Sequence, residues 1–337
     1  MERPDDLDIL TAREIIFMPK KRAAFMAVGF AISIVIISAI LLYSDLGSVV
    51  QNILGANALF VLVTAYFVLV MLLLKALRWF LLLRAAGIGV TPRASFLSFF
   101  SGSLISIFTP GRVGEPLRVY FLKKASGQNM SITLSPLFFE RALDFVVMLL
   151  FISFGLAFFA IYFTGQILTF SVLAAVFCTI LVIVIALLLK RRVGVFFVNR
   201  AFGRVKVLQR INLSLFYDTM GRISRASMLA FFLMSVMVWV MESGILFFGL
   251  LSIGVHLPIN TCMLVLAAAM LVGTLTFLPG NLGSFEASAV VLATLFITAP
   301  IAAVTGGVFV YTIVSYSLII TAGVFSLLML KKGVRIS

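Results

Sequence analysis

The sequence predicts an all-α integral membrane protein with six full transmembrane helices and two broken, re-entrant helical hairpins arranged as an inverted repeat. Three observations carry that prediction: an apolar composition, basic clusters on one side of the apolar runs, and a short motif that occurs twice. Of 337 residues, 63% are hydrophobic and only 11% charged, with a mean hydropathy of +1.22. Soluble domains carry about 25% charged residues, and a helical crossing needs about 20 apolar ones. The length therefore allows several crossings and no sizeable soluble domain. Lys and Arg number 26 against 12 Asp and Glu, a net charge of +14. In this setting the excess is loop charge facing an anionic leaflet, and no nucleic-acid partner is expected.

Residues 1–22 form a polar tail ending in Lys20, Lys21 and Arg22, and residues 23–337 form a single membrane domain. Full spans are expected at about 23–43, 58–83, 132–163, 167–189, 227–251 and 303–330. No small-residue cleavage site follows the first run, so it is a retained anchor. Apolar stretches at about 94–125 and 258–299 are interrupted by Pro-Gly and further Gly, which a continuous spanning helix does not place together. With the first basic cluster inside, the connection Tyr43 to Asn57 lies outside and carries no Lys or Arg. Arg84, Arg93, Lys123, Lys124, Lys190 to Arg192, Lys331, Lys332 and Arg335 then all fall on the inner side. Both termini are expected in the cytoplasm of a cell whose plasma membrane holds the protein. The stretch 193–225 mixes Phe196, Phe197, Leu208 and Phe216 with Arg200, Arg204, Lys206 and Arg210. It suits an interfacial helix, and equally an elbow between two spans.

The two interrupted stretches share F-x-P-G-x-x-G: Phe108 to Gly114 and Phe277 to Gly283, 169 residues apart. Shifted by 169, the span starts at about 58 and 132 fall at about 227 and 301, so repeat A (about 58–163) recurs as repeat B (about 227–330). Three spans separate the hairpins, an odd number, which gives the repeats opposite orientations. Secondary transporters are organised in this way, with broken helices lining a polar cavity near the midplane. Proline removes a donor and glycine permits a reversal, so a helix N-terminus that favours an anion is expected after Gly114 and after Gly283. The first hairpin adds Arg112 and Arg118, whereas the second offers Asn281, Ser284 and Glu286 without a cation.

Charges in apolar surroundings are costly and normally face a partner or a wet cavity. Glu115 and Arg118 are three apart, as are Arg141 and Asp144, and Glu140 and Asp144 share a helical face. Two readings stay open: these groups neutralise one another and pin hairpin to helix, or they share in ligand contact. Glu242 has no basic neighbour in sequence, so it is protonated or paired through the fold, and proton coupling is one use for it. Glu286, three residues after Gly283, fits a capping box. His256, the only histidine, is expected at the surface. Trp79 beside Arg78 fits an interfacial aromatic belt, while Trp239, Cys178 and Cys262 are expected as packing residues. The chain carries no catalytic motif, metal-ligand spacing or phosphate loop, so neither enzyme activity nor a metal or other cofactor is expected.

Ala76-Leu77-Arg78-Trp79 with Leu82-Leu83-Arg84, Thr109 to Arg118, Phe139 to Asp144, and Leu278 to Gly283 with Glu286 together resemble the flippase-like membrane domain of lysylphosphatidylglycerol synthases and its stand-alone relatives. The likeness spans nearly the whole chain. It implies a translocator that moves an anionic or aminoacylated phospholipid headgroup between leaflets. Arg112, Arg118 and Arg141 would hold the phosphate, and Glu115, Glu140 and Asp144 would orient them or bind a cationic headgroup. Asn281 and Glu286 would contribute from the second hairpin, although Phe285 stands where relatives often carry Arg. Two alternatives follow from the same resemblance: a flippase for polyprenyl-phosphate-linked glycans, and a non-transporting protein that docks lipid-linked intermediates for a separate transferase. No aminoacyl-transferase domain is recognisable within these residues, so the resemblance implies no synthase activity.

Overall fold

The computed structural model of the chain describes residues 20–109, 114–126, 130–162, 167–189, 218–219 and 221–331. Most of the N-terminal tail, Arg112 and most of the expected interfacial helix lie outside the described residues. The described architecture is all helical. Its order is α1 (Lys20–Tyr43), α2 (Leu46–Leu54), α3 (Ala58–Ala85), α4 (Pro92–Ile107), α5 (Leu117–Ser126), α6 (Met130–Tyr162), α7 (Ile167–Leu189), α8 (Arg225–Ser252), α9 (Ile259–Leu275), α10 (Ser284–Thr294) and α11 (Ile301–Lys331). Among the described residues, five helices are long and apolar enough to cross a membrane: α1, α3, α6, α8 and α11. The sixth expected crossing corresponds to α7, whose described apolar portion is Ser171–Leu181.

Helix starts follow local chemistry. The Asn57 side chain accepts from the Leu59 N–H at 3.0 Å to open α3, and the Ser224 hydroxyl accepts from the Ser227 N–H at 3.1 Å to open α8. Thr91 caps α4, with Pro92 in its first turn, where the missing N–H would have had no helical partner. The first connection, expected as a plain link, holds the short helix α2, whose nine residues are too few to span. Two long-range bonds tie this end together: Asn57 N–H donates to the Ser252 carbonyl at 2.8 Å, and the Ser44 and Thr305 hydroxyls lie 2.8 Å apart.

Both stretches expected to be interrupted are interrupted, since α4 stops at Ile107 before α5 begins at Leu117, and α9 stops at Leu275 before α10 begins at Ser284. Helix lengths of 28, 16, 10 and 33 residues in α3 to α6 recur as 28, 17, 11 and 31 in α8 to α11. The breaks approach one another: a Cβ on Gly280 would lie 2.8 Å from the Ile107 carbonyl oxygen, so a residue without one is needed at that contact. α8 and α11 also pack closely, with a Cβ on Gly249 only 3.0 Å from the Gly307 carbonyl.

Among the described residues the largest of three apolar clusters draws Val68, Val147, Val238, Leu266, Ala289 and Val308 from six helices. The polarity of α3 is inverted relative to a soluble helix: Leu62 is 68% exposed while Arg78 is fully buried. That arrangement suits a lipid surround, where an apolar rim needs no cover and charge must turn inward. Cys178, expected to pack, is exposed instead, and Cys262 is buried. Trp239 packs in the core, and His256 is at the surface.

Candidate functional site

Glu140 and Asp144 lie four apart on α6, so one helical face presents two carboxylates to its neighbours. Arg78 reaches them from α3. Its Nη1 donates to Asp144 Oδ1 at 2.6 Å and to the Ser235 hydroxyl at 2.6 Å, and its Nη2 donates to Asp144 Oδ2 and Glu140 Oε1, both at 3.0 Å. Arg118 of α5 donates through Nη2 to Glu140 Oε2 at 2.7 Å. Arg141 donates through Nη2 to Glu140 Oε1 at 2.9 Å, and lies 3.2 Å from Asp144 and 3.3 Å from Glu115. Three arginines and three carboxylates thus form one network that joins α3, the first break, α5 and α6. Its formal charge is zero.

The network has a sealed layer and an accessible one. The side chains of Arg78 and Glu140 are completely buried and that of Arg118 is 3% exposed, whereas Arg141 is 36% exposed and Glu115 15%. Buried ions lose several kcal/mol each in hydration, and only close pairing offsets that loss. The sealed layer therefore holds the elements together, and Arg141 and Glu115 face outward from it. A second pair stands beside them: Lys75 Nζ donates to Glu242 Oε2 at 3.0 Å, linking α3 to α8. Glu242 is paired through the fold, one of the two outcomes expected of it.

Both pairs open on a cavity with about 920 Å³ of empty space, its mouth included. One wall carries Lys75, Glu242, Glu115, Arg118 and Arg141. Another part of the lining carries Gly280 and Asn281 of the second break with Phe285, Tyr311, Ser315 and Tyr316. The Tyr316 hydroxyl donates to the Gly280 carbonyl and fixes that turn. Phe285 lies against Tyr311 with ring centroids 5.1 Å apart, so this wall is aromatic and neutral.

Of the residues expected at a site, Glu115, Arg118, Glu140, Arg141 and Asp144 come together, and Asn281 lines the same cavity. Glu286 sits apart. The Gly283 N–H donates to its Oε2 at 2.6 Å and the Thr312 hydroxyl to its Oε1 at 2.9 Å, and the side chain is fully buried. The N-terminus of α10 is thereby filled by a carboxylate of the chain itself, the capping role expected of Glu286 from its spacing. At the first break the Thr109 hydroxyl accepts from the Gly114 N–H at 2.7 Å, and the N–H groups of Leu117, Arg118 and Val119 bond to Gly114, Glu115 and Pro116 carbonyls.

Sequence reasoning missed Lys75 and Arg78 as site residues. A signal was available, because two cations three apart on one face of an otherwise apolar span need inward partners. Trp79 is also corrected. It is fully buried, with the Arg118 guanidinium 4.0 Å above its ring, and belongs to the network rather than to an interfacial belt.

The profile of the family described as lysylphosphatidylglycerol synthase TM region matches residues 26–323. A UPF0104 membrane protein of Methanothermobacter thermautotrophicus is 26% identical over 286 residues, covering 77% of this chain and 82% of that relative.

Proposed function

The chain belongs to the family of lysylphosphatidylglycerol synthase transmembrane regions, and from that membership and the charge-paired cavity we propose that it is a lipid translocator. It passes an anionic or aminoacylated phospholipid headgroup between leaflets while the acyl chains stay in lipid. In this reading α7 completes six spans, the broken pairs α4–α5 and α9–α10 are re-entrant hairpins of an inverted repeat, and both termini are cytoplasmic in the plasma membrane. The recurrence of helix lengths supports the repeat, and the depth of the Lys75–Glu242 pair supports its inversion. Each residue precedes the end of its own 28-residue helix by ten positions, about 15 Å at the helical rise. Two antiparallel spans meeting at such points place the pair halfway through a hydrocarbon core of about 30 Å.

The observation that carries the proposal is that the accessible charges come as two pairs, Arg141 with Glu115 and Lys75 with Glu242. A headgroup phosphate takes over Arg141 or Lys75, and an amino group of an aminoacylated headgroup takes over Glu115 or Glu242. Where the headgroup carries both groups, the exchange replaces one ion pair by another and leaves no charge stranded in low dielectric. The buried Arg78–Glu140–Arg118 layer holds the receiving groups in place. The test is reconstitution of the full chain into vesicles containing headgroup-labelled phospholipid, with a membrane-impermeant quencher reading leaflet exchange. Wild type accelerates exchange over protein-free vesicles, and Arg141→Ala lowers the accelerated rate about tenfold or more, as expected for loss of a charged contact. Wild-type protein that leaves exchange at the protein-free rate overturns the proposal, and co-purification of a transferase in that case favours the docking role.

A further inference from the structure

The neutral wall of the cavity holds an unused pair of hydrogen-bonding atoms. Asn281 is 2% exposed, yet among the described residues neither its Oδ1 nor its Nδ2 has a partner. Ser315, 7% exposed and lining the same cavity, has an unpartnered hydroxyl too. Buried amide atoms are normally satisfied, and an orphaned one calls for an explanation. Asn281 is held in place by its surroundings. Its backbone is left-handed, with φ at 61°, and a Cβ on Gly273 would come within 3.0 Å of the Asn281 Cβ, so the glycine leaves room for the side chain.

We infer that Asn281 and Ser315 form a hydroxyl-recognition subsite, selecting headgroups that carry a polyol such as glycerol or a sugar beside the phosphate. This rests on the translocator reading for the lipid itself, and adds the chemical class the neutral wall accepts. The amide presents an acceptor and a donor side by side, and a hydroxyl or vicinal diol offers both in return. An ammonium group only donates and an ionised phosphate only accepts, so either leaves one amide atom unsatisfied in a dry site. Arg141 and Lys75, which line the same cavity, take the phosphate.

The test is native mass spectrometry of the purified full chain in mixed-lipid nanodiscs holding equal amounts of phosphatidylglycerol, phosphatidylinositol, phosphatidylethanolamine and phosphatidic acid of matched acyl chains. Wild type retains the two hydroxyl-bearing lipids over the other two by about tenfold, and their ratio to each other separates glycerol from ring polyol. In Asn281→Gly, which accepts the left-handed backbone, the preference disappears while phosphatidic acid binding is kept. Ser315→Ala, which leaves the turn untouched, reduces the preference by about threefold. A wild type that holds all four lipids equally, or variants that keep the wild-type ratio, overturn the subsite. The vesicle assay separates the two proposals: exchange without a hydroxyl preference removes this inference alone, and a preference in a protein that accelerates no exchange removes the translocator alone.

Discussion

The two helix breaks share F-x-P-G-x-x-G and do opposite electrostatic work. The first sends Glu115 and Arg118 into a six-member ionic network, closed locally by the Thr109 hydroxyl on the Gly114 N–H. The second turns through four left-handed residues, Phe277, Gly280, Asn281 and Gly283, and satisfies its following helix with Glu286 from the same chain. The motif therefore determines where a helix stops and says nothing about the charge it delivers. Charge is set by the variable positions and the residues that follow: Arg112 and then Glu-Pro-Leu-Arg after Gly114, against Asn281 and then Ser-Phe-Glu after Gly283. The cavity lined by both breaks therefore has ionic groups from the first and neutral groups from the second.

The contrast is broken most severely at the ionic wall. Arg78→Ala leaves Glu140 and Asp144 without their sealed partner, and loss of about 3–5 kcal/mol is expected; thermal unfolding in detergent reads it, and an unchanged Tm would mean that Arg118 and Arg141 suffice. The neutral wall is next. Gly280→Ala combines a left-handed backbone with a contact on the Ile107 carbonyl, and a cost of about 1–3 kcal/mol is expected in the same measurement. Between the walls, Lys75→Glu and Glu242→Lys each place like charges together, and the double reversal restores the pair. A coupling of about 1–2 kcal/mol in a double-mutant cycle is expected, whereas additive single effects would show that the pair carries no energy. The smallest effect belongs to the cap: Glu286→Gln keeps one oxygen acceptor for Gly283 or Thr312 and removes the charge at the α10 N-terminus, a loss of about 1 kcal/mol.

Much of this plan is legible in the residues. The two interruptions, the long apolar helices and the shared face of Glu140 and Asp144 follow from local composition and the helical period, and the described residues have each of them. The capping role of Glu286 follows equally from its spacing to Gly283. Less legible was the assignment of partners. Spacing suggested Glu115 with Arg118, but Glu115 meets Arg141 and Arg118 meets Glu140, because α6 brings its charges to both the end of the first break and the start of α5. Trp79 beside Arg78 suited a membrane interface on composition alone, and its burial under Arg118 depends on how α3 and α5 pack.

The sequence by itself determined an apolar, multi-helical chain with two interruptions and a set of charges that had to turn inward, since each of these depends on residues within a few positions of one another. Only the tertiary structure decided which charges meet. Arg78 finds Asp144 66 positions away and Lys75 finds Glu242 167 positions away. Contacts at such separations are set by the packing of whole helices, in which the cost of burying an unpaired ion selects the arrangement that brings Lys75, Arg78, Arg118 and Arg141 each to a carboxylate.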